Sequence, residues 1–133
     1  MEGERAFGQA IRARRRASLM RRLLRRCTEC ARLIVHDSRT LPRRTGGIVR
    51  EIPLEAITGT FEAGRAREFD SDFRPSPKAR TRWLRVWAAE QTGAGLPPID
   101  VVRVGDAYAI RDGHHRVSVA RARGALTIDA VVA

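Results

Sequence analysis

Between Tyr108 and Arg123 the chain runs from an apolar strand-like segment, Tyr108 to Arg111, through Asp112-Gly113-His114-His115-Arg116 into a helical pattern that begins at about Arg116. A strand that gives way to a helix through such residues builds an anion site. The first backbone N–H groups of a helix have no intrahelical acceptor and carry the positive end of its dipole. Gly113 permits a tight turn with positive φ and puts no Cβ in the way of a ligand. Arg116 can fork two N–H groups onto phosphate oxygens, while His114 and His115 add directed donors whose charge depends on pH. Asp112 is the best-placed carboxylate for Mg²⁺ or for base catalysis, with Asp70 and Asp72 behind it. Two structural roles compete: an Asp before Gly caps helices, and Arg116 can pair with Asp112. No metal centre is expected, because adjacent histidines diverge and no third ligand has suitable spacing. The residue types point to a nucleotide or another phosphorylated ligand.

The elements that would hold this segment follow from periodicity and turn chemistry. Ile48 to Ile57 suits an opening strand and its turn, and Gly59 to Arg74 reads as an irregular loop carrying Phe61, Phe69 and Phe73. Ser76 resembles an N-cap with Pro77 at the first helical position, and the helix should continue to about Gln91. Trp83 and Trp87, one turn apart on it, are expected in the core. Ile99 to Val104 and Tyr108 to Arg111 form a hairpin about Gly105-Asp106; Gly124 closes the next helix and Leu126 to Val132 is a last strand. Strand, helix, hairpin, helix, strand predicts an α+β fold: a mixed sheet covered by helices, with the ligand at the carboxyl edge of a strand.

A chain of 133 residues fits one domain. With 31% charged and 43% hydrophobic residues the balance is that of a globular protein. No apolar run of about 18 residues and no apolar signal segment interrupt it, so a cytoplasmic location is expected. The charge is uneven: residues 1–50 hold 14 Arg against four acids, whereas residues 51–133 hold 12 basic and 11 acidic residues. From Ala17 to Val35, Leu19, Met20, Leu23, Leu24, Cys27, Ala31 and Ile34 recur at helical spacing among arginines, an amphipathic basic helix. Arg14, Arg15, Arg16, Arg21, Arg22, Arg25 and Arg26 are its expected nucleic-acid contacts. The same stripe could instead pack on the domain or on a second copy, as a homodimer. Membrane-surface binding is the weaker reading, since the apolar face lacks large aromatic anchors. Cys27 and Cys30 lack the second pair of a zinc site and are expected as two small apolar residues on this packed helix. Arg39 to Gly47, with Pro42 and Gly46-Gly47, reads as a linker, which divides the chain into a basic helix with linker (1–47) and a folded body (48–133).

Over that body the motifs occur in a recognisable order: Ile52-Pro53-Leu54, Arg67-x-Phe69-Asp70, a helix, Gly95-Leu96-Pro97-Pro98-Ile99-x-Val101, Tyr108 to Arg116, and Ile128-x-Ala130-Val131. Together they resemble the ParB/sulfiredoxin domain, formerly the ParB-like nuclease domain, in the short form found in high-GC actinobacteria. In partition ParB proteins the matching stretch is a Gly-Glu-Arg-Arg motif that contacts CTP; in sulfiredoxin it is Gly-Cys-His-Arg, which binds ATP phosphates. The resemblance implies nucleotide binding, CTP or ATP with Mg²⁺, at Gly113, His114, His115 and Arg116, with Arg67 helping from a facing loop.

Two activities of these relatives are not expected. His114 stands where sulfiredoxin has its reacting Cys, so the thiol is missing. The DNA-reading module that follows the nucleotide domain in ParB has no expected counterpart after the last strand. The free serine kinases, similar in their Asp-Gly-His-His-Arg type motif, offer a third comparison. They use a carboxylate near the end of the first strand to take the hydroxyl proton, and Glu55 and Glu62 are nearest by position. The resemblance therefore implies a nucleotide-binding module associated with DNA or regulation. The alternative is a nucleotide-dependent phosphotransferase, phosphodiesterase or nuclease with Asp112 and Glu62 as catalytic carboxylates.

Overall fold

The computed structural model describes residues 2–42, 47–93 and 95–133; residues 43–46 of the expected linker lie outside the described residues. The elements are α1 (Glu2–Leu23), β1 (Ile34–Val35), β2 (Val49–Pro53), β3 (Ile57–Thr60), α2 (Ala63–Glu68), α3 (Arg80–Gln91), β4 (Ile99–Val104), β5 (Ala107–Asp112), α4 (His114–Ala122) and β6 (Thr127–Val132). The strands form one six-stranded sheet in the order β1-β3-β5-β4-β6-β2. β1, β3 and β5 run parallel, as do β4 and β6, while β5 with β4 and β6 with β2 are antiparallel. The fold is thus mixed, with helices against the sheet, as expected.

The main core lies between the sheet and α1, α3 and α4, around the fully buried Trp83, Phe69, Ile57, Ile110, Val101 and Val117. Strand alternation explains the division of side chains: Tyr108 and Ile110 join this core, whereas Ala109 between them joins a smaller cluster with Phe61 and Val102. Trp83 is the centre of the helix layer. Its Nε1 donates to Ser118 Oγ at 2.8 Å, and its ring meets Phe7 edge-on at 5.3 Å and stacks with Trp87 at 5.5 Å. Both tryptophans are therefore packing residues. Trp83→Phe keeps a ring but loses the hydrogen bond and part of the volume, so urea unfolding should show a loss of about 1–2 kcal/mol with an unchanged m-value.

The N-terminal helix departs from the sequence reading. It spans Glu2–Leu23, and its inner face is Ala6, Phe7, Ala10 and Ile11, set against α3. Leu19, Met20, Leu23 and Leu24, expected as the packed stripe, are 51–68% exposed. The helix stops because Arg25 turns left-handed at φ 51°, with Arg26 N–H donating to Arg21 O at 2.8 Å and Arg25 N–H to Arg22 O at 3.3 Å. This crossed pair closes a helix end, and arginine occupies the place usually held by glycine. Nothing in the residue types marks the stop.

Beyond it, Cys27 and Cys30 are exposed and bonded to each other, not packed on a helix. The turn brings their Cα atoms to 5.4 Å, within disulfide reach. Ile34, expected on the same helix, belongs to β1, which joins the sheet beside β3.

Three further expectations are corrected. The expected loop from Gly59 to Arg74 contains the end of β3 and the short helix α2, too brief for a periodic signal. Ser76 makes no side-chain cap bond; a 3₁₀ turn at Pro77–Ala79 leads into α3 instead. The helix expected from Arg116 starts at His114, with Gly113 as its N-cap.

Candidate functional site

β3 and β5 are parallel neighbours, with Thr60 in register with Ile110, so their carboxyl ends emerge together. Asp112 at the end of β5 faces Asp100 near the start of the antiparallel β4. Gly113 then turns at φ 121°, ψ 22°, and a Cβ there would sit 2.8 Å from Ile99 Cβ. Only glycine fits both the backbone angle and the space. The turn places the N–H groups of His114, His115 and Arg116 in the first turn of α4, where no helical acceptor exists. The strand gives way to the helix at Gly113 and the helix begins at His114, two residues before its predicted start, so both histidines belong to α4.

The two histidines differ from the expectation in one respect. His114 is 4% and His115 8% exposed, and both are uncharged at neutral pH. Burial pushes His114 down to about 3, assisted by the Arg65 and His115 charges. Burial likewise takes His115 down to about 4; the nearby Glu68 carboxylate works against this and the Arg65 and Arg82 charges with it. His114 Nε2 lies 2.7 Å from Thr60 Oγ1, which also accepts from the Glu62 N–H at 2.9 Å. Phe69 lies parallel to His114 and edge-on to His115. A charge on either ring that switches near neutral pH is absent; what the pair supplies is neutral imidazole.

A cleft of about 350 Å³ opens at the start of α4, walled by Glu62, Arg65, Arg82, Arg85, Asp112 and Arg116, with Leu96 and Pro97. The guanidinium brought in by α2 is Arg65; Arg67 faces the other side of that helix and does not line the cleft. Arg65 is held by Glu68, Nη1 to Oε1 at 2.9 Å, and by Glu62, Nε to Oε2 at 3.4 Å. Arg116 donates through Nη1 to Pro97 O at 2.6 Å and Pro98 O at 3.1 Å, and pairs with Asp112 at 3.4 Å. It therefore pins the Pro97-Pro98 segment against α4. Asp112 makes no cap bond; its side chain is 70% exposed at the rim. Glu62 is also at the rim, paired with Arg65. Glu55, Asp70 and Asp72 do not line the cleft; Asp70 and Asp72 are engaged by Arg74.

Arg82 and Arg85 belong to no motif of the sequence. Both are exposed and, among the described residues, make no ion pair or hydrogen bond. A signal for them exists all the same: they lie three apart on α3, on the flanks of the buried Trp83.

The expected nucleic-acid residues fall into two sets. Arg15, Arg16, Arg25 and Arg26 are exposed, Arg16 lining a shallow cavity beside Asp72. Arg14, Arg21 and Arg22 line a separate cavity together with Arg67. No helix of the described residues is long and apolar enough to cross a membrane.

Neither a protein-family model nor a curated protein matches the chain. Among solved structures it is similar to sulfiredoxin from Arabidopsis thaliana, at 23% sequence identity and a TM-score of 0.46, over 65% of this chain and 84% of that one.

Proposed function

We propose that the cleft at the start of α4 binds the phosphates of a nucleoside triphosphate, CTP or ATP, and that the basic α1 brings the protein to nucleic acid. One observation carries the first part: the free N–H groups opening α4 meet four arginines, Arg65, Arg82, Arg85 and Arg116, in one cleft. Both features attract phosphate, and the dipole and the guanidinium charges add. Arg65 and Arg116 are engaged by carboxylates or carbonyls and shape the walls, while Arg82 and Arg85 are free to fork onto phosphate oxygens. A Mg²⁺ carried by the triphosphate would find Asp112 and Glu62 on the rim. The Asp-Gly-His-His-Arg motif, at the junction where its ParB/sulfiredoxin counterparts hold phosphates, supports the same reading.

Phosphoryl transfer is the second reading, and the exposure of Asp112 beside that cradle favours it. A carboxylate at this place can take the proton of an attacking hydroxyl. Its partner Glu62, tied to Arg65, would hold the arginine rather than accept a proton.

The test is calorimetric titration with CTP, ATP, ADP and GTP, with and without Mg²⁺. Arg82→Ala with Arg85→Ala is the informative variant, because Arg116→Ala would also release Pro97 and Pro98. Two lost charge-assisted contacts should weaken the preferred nucleotide by about 100-fold. Absence of saturable binding to the wild type, or equal affinity in the double variant, overturns the proposal.

A further inference from the structure

On the opposite side of α2 from the candidate cleft lies a cavity of about 690 Å³, enclosed by α1, the turn carrying Thr28, β1 and the Phe69–Ser71 segment. Arg14, Arg21, Arg22, Arg32, Arg67 and Arg74 all line it, and Asp70 is the only carboxylate among its lining residues. That carboxylate is already occupied: Oδ1 accepts from the N–H groups of Asp72 and Arg74, and Oδ2 pairs with Arg74 Nη1 at 3.4 Å. Arg14 donates to Glu68 O and Arg21 to Cys27 O, neutral acceptors that leave both charges in place. The Arg22, Arg32 and Arg67 side chains make no hydrogen bond or ion pair among the described residues. Arg74 is neutralised by Asp70 and Asp72, at 3.4 and 3.1 Å; the other five cations share one concavity without a carboxylate partner among the described residues, and an anion bound there relieves their repulsion.

The arrangement has a local cause. Arg14 and Arg21 are two turns apart and share one face of α1, while α2 presents Arg65 to the α4 cleft and Arg67 to this cavity. The volume exceeds what one phosphate fills, and guanidinium forks match phosphate oxygens pairwise. We infer that this cavity is a second anion site, which takes a ligand carrying two or more linked phosphates: successive phosphodiesters of a nucleic-acid strand or a free polyphosphate chain. The inference deepens the nucleic-acid half of the function proposed above, replacing diffuse attraction to a helix by a concave site. It does not depend on nucleotide binding at α4.

The experiment titrates the full chain with inorganic tripolyphosphate and with a twelve-nucleotide single-stranded oligothymidylate, between 50 and 200 mM salt. Arg22→Gln, Arg32→Gln and Arg67→Gln are combined in one variant; all three side chains are exposed and unpaired, and thermal melting checks that the fold is kept. A control removes equal charge from outside the cavity, Arg15→Gln with Arg16→Gln and Arg26→Gln. The cavity variant should bind at least 30-fold more weakly. For the oligonucleotide its log–log salt dependence should flatten by about 2, at roughly 0.7 per phosphate contact on a single strand. The control should lose less than threefold. Binding of the oligonucleotide alone identifies a strand as the source, and binding of tripolyphosphate alone a free polyphosphate. The inference fails if the wild type binds neither, if the cavity variant binds as the wild type does, or if the control weakens binding as much. Arg82→Ala with Arg85→Ala, which disables the α4 cleft, is the background for the tripolyphosphate titrations, because a triphosphate chain also fits that cleft; it should leave oligothymidylate binding intact, so either site can fail without the other.

Discussion

Gly113→Ala is expected to destabilise the protein by about 3–4 kcal/mol, and to weaken nucleotide binding by at least tenfold under conditions where the variant is still folded. Two separate penalties add. At φ 121° and ψ 22° a Cβ-bearing residue is strained by roughly 1–3 kcal/mol. The new methyl would also stand 2.8 Å from Ile99 Cβ, a side chain 1% exposed at the start of β4, and overpacking of such a site costs about 1–3 kcal/mol. Relief requires β4 and α4 to separate, which moves the N–H groups of the cradle. Gly105→Ala is the internal control. Gly105 also has positive φ, 62°, but a Cβ there meets nothing within 4 Å, so only the left-handed penalty of about 1–2 kcal/mol remains. Urea midpoints at pH 7.5 separate the two; equal effects would mean that Ile99 does not press on the turn.

Acid should destabilise this protein well before its carboxylates are protonated. The unfolded chain takes up protons at His114 and His115 below about pH 6.5, whereas the native state, with these groups held down to about 3 and about 4 by burial, refuses them. The unfolded state then binds more protons than the native state, so stability rises with pH across that window: it is complete above about 6.5 and falls as the pH drops toward 4. Each tenfold difference in proton affinity between the two states is worth about 1.4 kcal/mol, so the two rings together remove about 3–4 kcal/mol between pH 7 and pH 5. For a chain of this size that lowers the melting temperature by roughly 10 °C or more. In His114→Gln, whose amide can still meet Thr60 Oγ1, the loss between pH 7 and pH 5 should be about half that of the wild type. A melting temperature flat from pH 7 to pH 5 would show that the rings are not buried as described. The two histidines should add no step near pH 6.5 to nucleotide affinity at the α4 cleft, beyond the one that the terminal phosphate's own titration produces, since neutral imidazole is what the site holds there.

Much of the candidate site is legible in the sequence because its parts are local. Strand, glycine and helix follow one another over residues 108–122, and the positive φ that favours glycine at 113 belongs to the turn itself, although the contact with Ile99 does not. The hairpin at Gly105-Asp106 and the burial of Trp83 also rest on short-range signals, a turn dipeptide and a helical spacing. The motif points to Arg67 where the cleft holds Arg65, because both occur in one short segment and a motif cannot say which side of α2 faces the cleft. Arg82 and Arg85 belong to a helix distant in sequence and carry no motif.

The N-terminal region shows the same limit from another direction. Its apolar spacing is real, yet two phases of that spacing exist along one basic helix, Ala6 to Ile11 and Leu19 to Leu24. Phe7 decides between them, because its ring meets the edge of Trp83. The stop at Leu23 rests on a left-handed arginine, a backbone state that residue type does not announce.

By itself, then, the order of residues determined the mixed sheet with its helices and the glycine turn that leads from a strand into a helix, since these rest on periodicity and steric allowance within a few residues. Only the tertiary structure decided that both histidines are neutral, that Arg116 holds a loop, and that α2 shares its arginines between two cavities. Charge state and facing depend on what other segments bring within a few ångströms, and no run of neighbours in the chain contains that information.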